Sequence, residues 1–293
     1  MKIAILGKGG TGKSTVSWLL SSHLASNKKN NILAIDADHN MDLTSSLGIE
    51  ITETDKFFHK SNKTFKDLMQ IPEGQRWQFQ FEPEYEGPYW IKFNYKPASD
   101  FLSKYIFKLR PNLDLLVTGL GEEDIMYTGM CSHGLSSPFK YLIPRLEMNE
   151  NCFLVMDSVA GTDMVNYGLY FGFDVVIIVV EGHINSIKVA RQLDQVLEKQ
   201  GTKAYFILNK FNSKNEQITN FISENTVKNR ILGEIPIDNE IMNYNYKKIS
   251  SKTKENLDLI LNKIKALPKV STGGLELLKQ FEAKKTLQRL SKI

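Results

Sequence analysis

The sequence predicts an α/β fold, a doubly wound and mostly parallel sheet with helices on both faces. Six short apolar runs have the length and continuous hydrophobicity of strands buried on both sides: Ile3 to Leu6, Ile32 to Ile35, Leu113 to Val117, Cys152 to Met156, Val175 to Val180 and Tyr205 to Leu208. Amphipathic stretches separate several of them, such as Ile187 to Lys199 after the fifth, and strands alternating with helices imply right-handed crossovers. The first run ends in a glycine-rich loop that leads straight into the apolar-periodic stretch Val16 to Leu24.

That loop reads Gly7-Lys8-Gly9-Gly10-Thr11-Gly12-Lys13-Ser14-Thr15. Its glycines let the backbone curl so that successive N–H groups point at phosphate oxygens, and the following helix adds its positive dipole end. A strand before it and a helix after it are the context a phosphate-binding loop requires, so the expected fold is that of a P-loop nucleotide hydrolase. Residues Gly9 to Thr15 are then the expected ATP/ADP cradle. Lys13 should reach the β- and γ-phosphates and the Ser14 hydroxyl should coordinate Mg²⁺.

Two further strands end in acid. Asp36 and Asp38 follow Ile32 to Ile35, and carboxylates at the carboxyl end of a strand beside the loop can hold Mg²⁺ waters and orient an attacking water. Asp157 closes Cys152 to Met156 and heads Asp157-Ser158-Val159-Ala160-Gly161, which has the form of a Walker B and switch II segment. Asp157 is expected to hold Mg²⁺ through water.

The chain has 293 residues, with 42% hydrophobic and 24% charged side chains, ample for a sizeable core. A net charge of +4 gives no support to nucleic-acid binding. Two cysteines, Cys131 and Cys152, exclude a disulfide framework. The amino-terminal run has neither the length nor the small-residue cleavage site of a signal peptide, and no apolar stretch approaches the roughly 20 residues that span a bilayer. A cytoplasmic protein is expected.

With Lys8 directly after the first glycine, the loop resembles the deviant Walker A family, which includes the MinD and ParA ATPases, the nitrogenase iron protein and the CooC-type ATPases of nickel enzyme maturation. The resemblance covers roughly Lys2 to Leu267. It implies that Lys8 reaches across an ATP-bound homodimer onto the partner's nucleotide; the alternative is a solvated loop lysine. It makes Asp38 the catalytic aspartate that positions water, although His39 stands where relatives carry proline. It also implies that Asn209, which ends Tyr205 to Leu208, binds the adenine, with Pro236 and Asp238 on the adenine-side loop; a strand-end turn is the other reading of Asn209.

Local features favour the CooC and iron-protein side. Asn112 to Gly119 leading to Gly121-Glu122-Glu123, the Thr128 to His133 loop, Val155 to Gly161, and Val179-Val180-Glu181 with Ser186 are all similar to that branch. The expected function is an ATP-driven maturation factor for a client metalloenzyme, with a ParA- or MinD-like positioning ATPase as the alternative. Relatives carry two cysteines in the Thr128 to His133 loop, where this chain offers Cys131 and His133. Two copies across a dimer axis could supply a Cys₂His₂ site for Zn²⁺ or Ni²⁺; otherwise Cys131 packs as a small hydrophobe. Cys152 reads as structural.

The ATPase domain is expected to span 1–268, with an insertion over about 53–111. There Trp77, Phe79 and Phe81, then Ile91, Phe93 and Tyr95, alternate with polar residues about a Pro/Gly turn. That period of two predicts a β-hairpin, serving as a docking surface or as an apolar cap on the sheet. Residues 269–293 read as a linker, with Ser271 to Gly274 at its centre, and a basic amphipathic helix from Leu275. Lys285 on its apolar stripe and two acidic residues, Glu276 and Glu282, argue for packing on the core or a partner rather than membrane attachment.

Overall fold

The computed structural model describes residues 1–119, 132–269 and 273–290, and in it all six apolar runs are strands. In chain order the strands are β1 (Lys2–Gly7), β2 (Asn31–Asp36), β3 (Phe93–Asn94), β4 (Phe107–Arg110), β5 (Leu113–Val117), β6 (Leu146–Glu147), β7 (Cys152–Asp157), β8 (Val175–Val180), β9 (Ala204–Phe211) and β10 (Ile231–Pro236). Eight of these make one sheet in the order β10-β9-β8-β1-β7-β2-β5-β4. Every neighbouring pair in it is parallel except β4 and β5.

The side-chain period of two sorts the strand residues onto the two faces. Ala4, Leu6, Leu33 and Ile35 enter one core; Ile3, Ile5, Ile32 and Ala34 enter the other. The helix Lys13–Ser26 and the helix Ser251–Ala266 cover the second face, while Ile184–Lys199 covers the first. Both faces are therefore dry, which is why β1, β7 and β8 carry buried residues at every position.

Two strands of the large sheet escaped the sequence reading, as did the short β6. β4 lies at the end of the stretch read as an insertion, and β10 contains Gly233 to Pro236, read as a loop. Both are edge strands in which buried residues alternate with half-buried or exposed ones, so neither shows the continuous apolar run of the central strands.

The expected hairpin does not form. Trp77–Phe81 is a turn of 3₁₀ helix, and Phe93–Asn94 pairs in parallel with Leu146–Glu147 instead. The reason lies in Gln80. Alternation would turn it to solvent, yet it is 2% exposed: its Nε2 donates to Trp77 O and its Oε1 accepts from the fully buried Arg145. Trp77 stacks on Tyr141 at 4.7 Å and donates to Asn62 Oδ1. With Phe58, Phe65, Phe93, Tyr95 and Phe101, it forms an aromatic cap over one face of the sheet. Tyr95 ties the cap down by donating to Ile32 O at 2.7 Å.

The carboxyl-terminal helix, Gly274–Leu290, lies on this cap and not in solvent. It starts at Gly274, where a Cβ would meet Gly172 Cα at 2.5 Å, so only glycine permits the approach. Leu278 is fully buried, Phe281 sits 5.3 Å from Phe171, and Lys285 lies over the Tyr167 ring. Glu282, 3% exposed, pairs with Lys140, 4% exposed, and also accepts from Gln78 Nε2. Removing one member of a buried pair leaves a charge stranded, which costs far more than the pair contributes. Lys140→Met should accordingly destabilise the protein by about 3 kcal/mol, whereas adding Glu282→Leu to it should restore much of the loss; urea unfolding of the two variants checks this.

Candidate functional site

β1, β2 and β7 all end at one edge of the sheet, and their last residues are Gly7, Asp36 and Asp157. Asp36 and Asp157 are register partners on adjacent strands. From Gly7 the chain turns through the loop, with Gly10 and Gly12 at φ +86° and +84°, into the helix that starts at Lys13. Gly12 has a second constraint, because a Cβ there would meet Asn209 Nδ2 at 2.3 Å.

The loop is braced from several sides. Thr11 Oγ1 donates to Lys8 O at 2.8 Å, and Gly161 N donates to Gly7 O at 3.0 Å. Asn209 Nδ2 donates to Thr11 O at 2.8 Å. Lys210, at φ +52°, donates from Nζ to Gly10 O at 3.2 Å and pairs with Glu181 at 3.1 Å. Lys13 is buried beneath the loop, while the Lys8 ammonium stays at the surface on Gly9 O.

The two strand-end acids differ in their partners. Asp36 Oδ2 accepts from Thr44 N at 2.8 Å and Thr44 Oγ1 at 2.7 Å, and its Oδ1 accepts from Asp38 N. It pins the segment 37–44 rather than opening onto the loop. Asp157 accepts from Ser17 Oγ at 3.3 Å through Oδ1, but its Oδ2 is buried without a hydrogen-bond partner among the described residues. Burial, and then the neighbouring Asp36, push the Asp157 carboxyl well above the usual carboxylate range; Ser14 and Lys13 only partly offset this. Burial likewise raises Asp36, against hydrogen bonds from Thr44 that lower it. Asp38 is 8% exposed, accepts from Asn40 N, and has His39 Nδ1 3.4 Å away.

The expected adenine-side residues come from neighbouring strands. Asn209 stands opposite Ile235, and Pro236 ends β10. Asp238 accepts from Glu240 N, Ser250 N and Thr253 Oγ1 and so joins two helix starts. Cys131 and the His133 side chain fall outside the described residues. Cys152 is buried at the start of β7 as expected, and no cluster of candidate metal ligands occurs among the described residues.

Sequence reasoning missed Ser17, Thr44 and Lys210. Ser17 was accessible in principle, since it lies three residues after Ser14 on the same helix face. Thr44 carried no local signal, because its role depends on a fold-back of eight residues onto Asp36.

Residues 2–250 match the model of the CobQ/CobB/MinD/ParA nucleotide-binding domain. The chain belongs to this family. Among relatives, an uncharacterized ATP-binding protein of Methanocaldococcus jannaschii is 28% identical over 83% of this chain and 90% of its own. The carbon monoxide dehydrogenase accessory protein CooC of Rhodospirillum rubrum is 27% identical over 82% of this chain and 85% of its own. Among solved structures, the septum site-determining protein MinD of Pyrococcus horikoshii complexed with Mg-ADP superposes with a TM-score of 0.58 at 20% identity, covering 90% of this chain and 96% of that one. As a CobQ/CobB/MinD/ParA-type P-loop protein, the chain is an ATP-binding member of an ATPase family.

The raised carboxyl gives a pH signature. At acid pH Asp157 is protonated in both folded and unfolded chains, so burial costs nothing there. The cost grows as pH rises above the ordinary carboxylate value of about 4, because the unfolded chain releases its proton first. In nucleotide-free protein, Asp157→Asn should therefore raise the melting temperature more at about pH 8 than at about pH 5. Equal gains at both would contradict the assignment.

Proposed function

We propose that the chain is an ATP-hydrolysing switch that closes as a homodimer around its nucleotide and releases on hydrolysis, acting in metallocentre maturation in the manner of CooC. The observation that carries the ATPase reading is the buried Asp157 carboxylate, whose unpartnered Oδ2 stands beside Lys13 and Ser14 at the edge where the glycine loop turns. An orphaned oxygen among hard oxygen donors suits a magnesium ion. Ser14 and Asp157 would hold it, directly or through water, with Asp36 behind them fixing the switch segment. Magnesium would supply charge neutralisation on the phosphates.

The protein's own groups supply the rest. Loop N–H groups from Gly9 to Thr15 receive phosphate oxygens, and Lys13 adds its charge to the β- and γ-phosphates. Asp38, nearly buried and accepting from Asn40 N through Oδ1, accepts a hydrogen bond from the attacking water and orients it. Lys8, solvated on its own loop in the monomer, would place its ammonium on the partner subunit's nucleotide. Asn209 exchanges its contact with Thr11 for the adenine edge, with Pro236 and Asp238 at the same end of the sheet.

The maturation reading rests on the likeness to CooC along most of both chains. Its client would be a metalloenzyme or the protein that loads one.

Three variants separate the roles. Lys13→Ala should bind ATP at least about a hundredfold more weakly, since it removes a buried charge from the phosphates. Lys8→Ala should bind ATP normally yet remain monomeric, and Asp38→Ala should bind ATP and accumulate as dimer. Sedimentation with and without Mg-ATP distinguishes them, and a Lys8→Ala protein that dimerises like the native chain refutes the action in trans.

A further inference from the structure

Trp18, Ser22 and Ser26 recur every four residues on the helix Lys13–Ser26, and so form one stripe along it that is buried at Trp18 and Ser22 and exposed at Ser26. Along this stripe runs a cleft of about 720 Å³, closed on one side by Ser45 to Gly48 and on the other by Asn243 to Lys247. Arg110, at the end of β4, stands at its end, where it meets a smaller cleft of about 350 Å³ that shares Leu47, Gly48 and Arg110. The volume falls within the range of small-molecule sites. Ser26 is twelve residues beyond Ser14, about 18 Å along the helix axis, so the cleft leads away from the phosphate loop.

Its lining is specific in three respects. Ser22 is 1% exposed, and its Oγ has no hydrogen-bond partner. A buried hydroxyl left unpaired costs free energy that a ligand acceptor in the cleft would recover. Arg110 is exposed and its guanidinium makes neither a hydrogen bond nor an ion pair with any described residue, and Lys247 adds a second cation. No carboxylate lines this cleft; Glu50 and Glu53 belong to the smaller one, where Glu53 pairs with Lys56. Finally, Tyr244 is held at φ +49°, a conformation tyrosine rarely adopts, and there its ring meets Trp18 edge-on at 5.2 Å while staying 44% exposed. The left-handed turn ends the helix Asn239–Met242, with Asn245 N donating to Glu240 O, and it leaves the half-exposed Tyr244 ring in the cleft.

We infer that this cleft is a second small-molecule site, separate from the nucleotide site, for an anion with a planar apolar body. The phosphate or carboxylate head pairs with the Arg110 fork, which suits such groups in two-point contact. The planar part lies against the Tyr244 ring, which Trp18 backs, and an acceptor atom takes the Ser22 hydroxyl.

Phenyl phosphate is the probe, because it carries one such head on one ring. Calorimetric titration is run on native protein saturated with Mg-AMPPNP, which fills the phosphate loop, and followed in parallel by tryptophan emission. One phenyl phosphate per chain is expected, with a change in emission that Trp18→Phe removes. Phenol and inorganic phosphate should each bind at least about tenfold more weakly, and Arg110→Ala should weaken phenyl phosphate by about tenfold. Ser22→Ala should lower the affinity while leaving thermal stability equal or higher, because it deletes an unpaired hydroxyl. No binding in the AMPPNP-loaded protein overturns the inference, as does unchanged affinity in Arg110→Ala. Full competition by AMPPNP, seen against nucleotide-free protein, would return the ligand to the nucleotide site and overturn it equally.

Discussion

A parallel sheet covered on both faces makes the end of a strand the least costly place for a charged side chain without a partner. Here that constraint sets two carboxylates side by side, since Asp36 and Asp157 are register partners at the last positions of β2 and β7. Neither is comfortable. Burial raises the cost of ionising both, and the neighbouring Asp36 raises it further for Asp157. The arrangement is stable because cationic or donor groups converge on it: Lys13 and the Ser14 and Ser17 hydroxyls on Asp157, and Thr44 on Asp36. The unpartnered Asp157 oxygen left in this arrangement is what the proposed magnesium ion would meet.

Thr44 gives Asp36 a task beyond electrostatics. By holding that residue's backbone and hydroxyl, Asp36 fixes where the segment 37–44 begins and ends, and Asp38 rides on it. The same segment is held from the other side, where Ser136 Oγ donates to Ala37 O at 3.1 Å. Ser136 lies on the helix Ser132–Leu142, whose far end carries Lys140 to the buried Glu282. One helix thus touches both the segment that follows Asp36 and the carboxyl-terminal helix.

The glycine loop and the two strand-end acids were legible in the sequence because their signals are local. A glycine loop between strand and helix, and an aspartate closing an apolar run, each occupy fewer than about ten consecutive residues and need no tertiary context. The central strands were legible for the same reason. What failed depended on partners far away in the chain. Gln80 looks like the outward residue of a hairpin, and only the buried Arg145, which needs its carboxamide, turns it inward. β10 was hidden because one edge strand buries only part of its residues, and Thr44 because nothing adjacent marks it as the ligand of Asp36. The tail was half legible: its amphipathic stripe showed the helix, while Lys285 on that stripe became intelligible only with Tyr167 beneath it.

That tail bears on how the protein can be handled. Leu278, Phe281 and Glu282 close over Phe171 and Lys140, so the helix acts as a seal on the aromatic cap and is no trailing appendage. A recombinant version cut near Pro268, at what looks like a natural domain border, would open an apolar seam and invite self-association. Extensions added beyond the helix, by contrast, would leave the seal in place, and affinity tags or fluorescent fusions belong there.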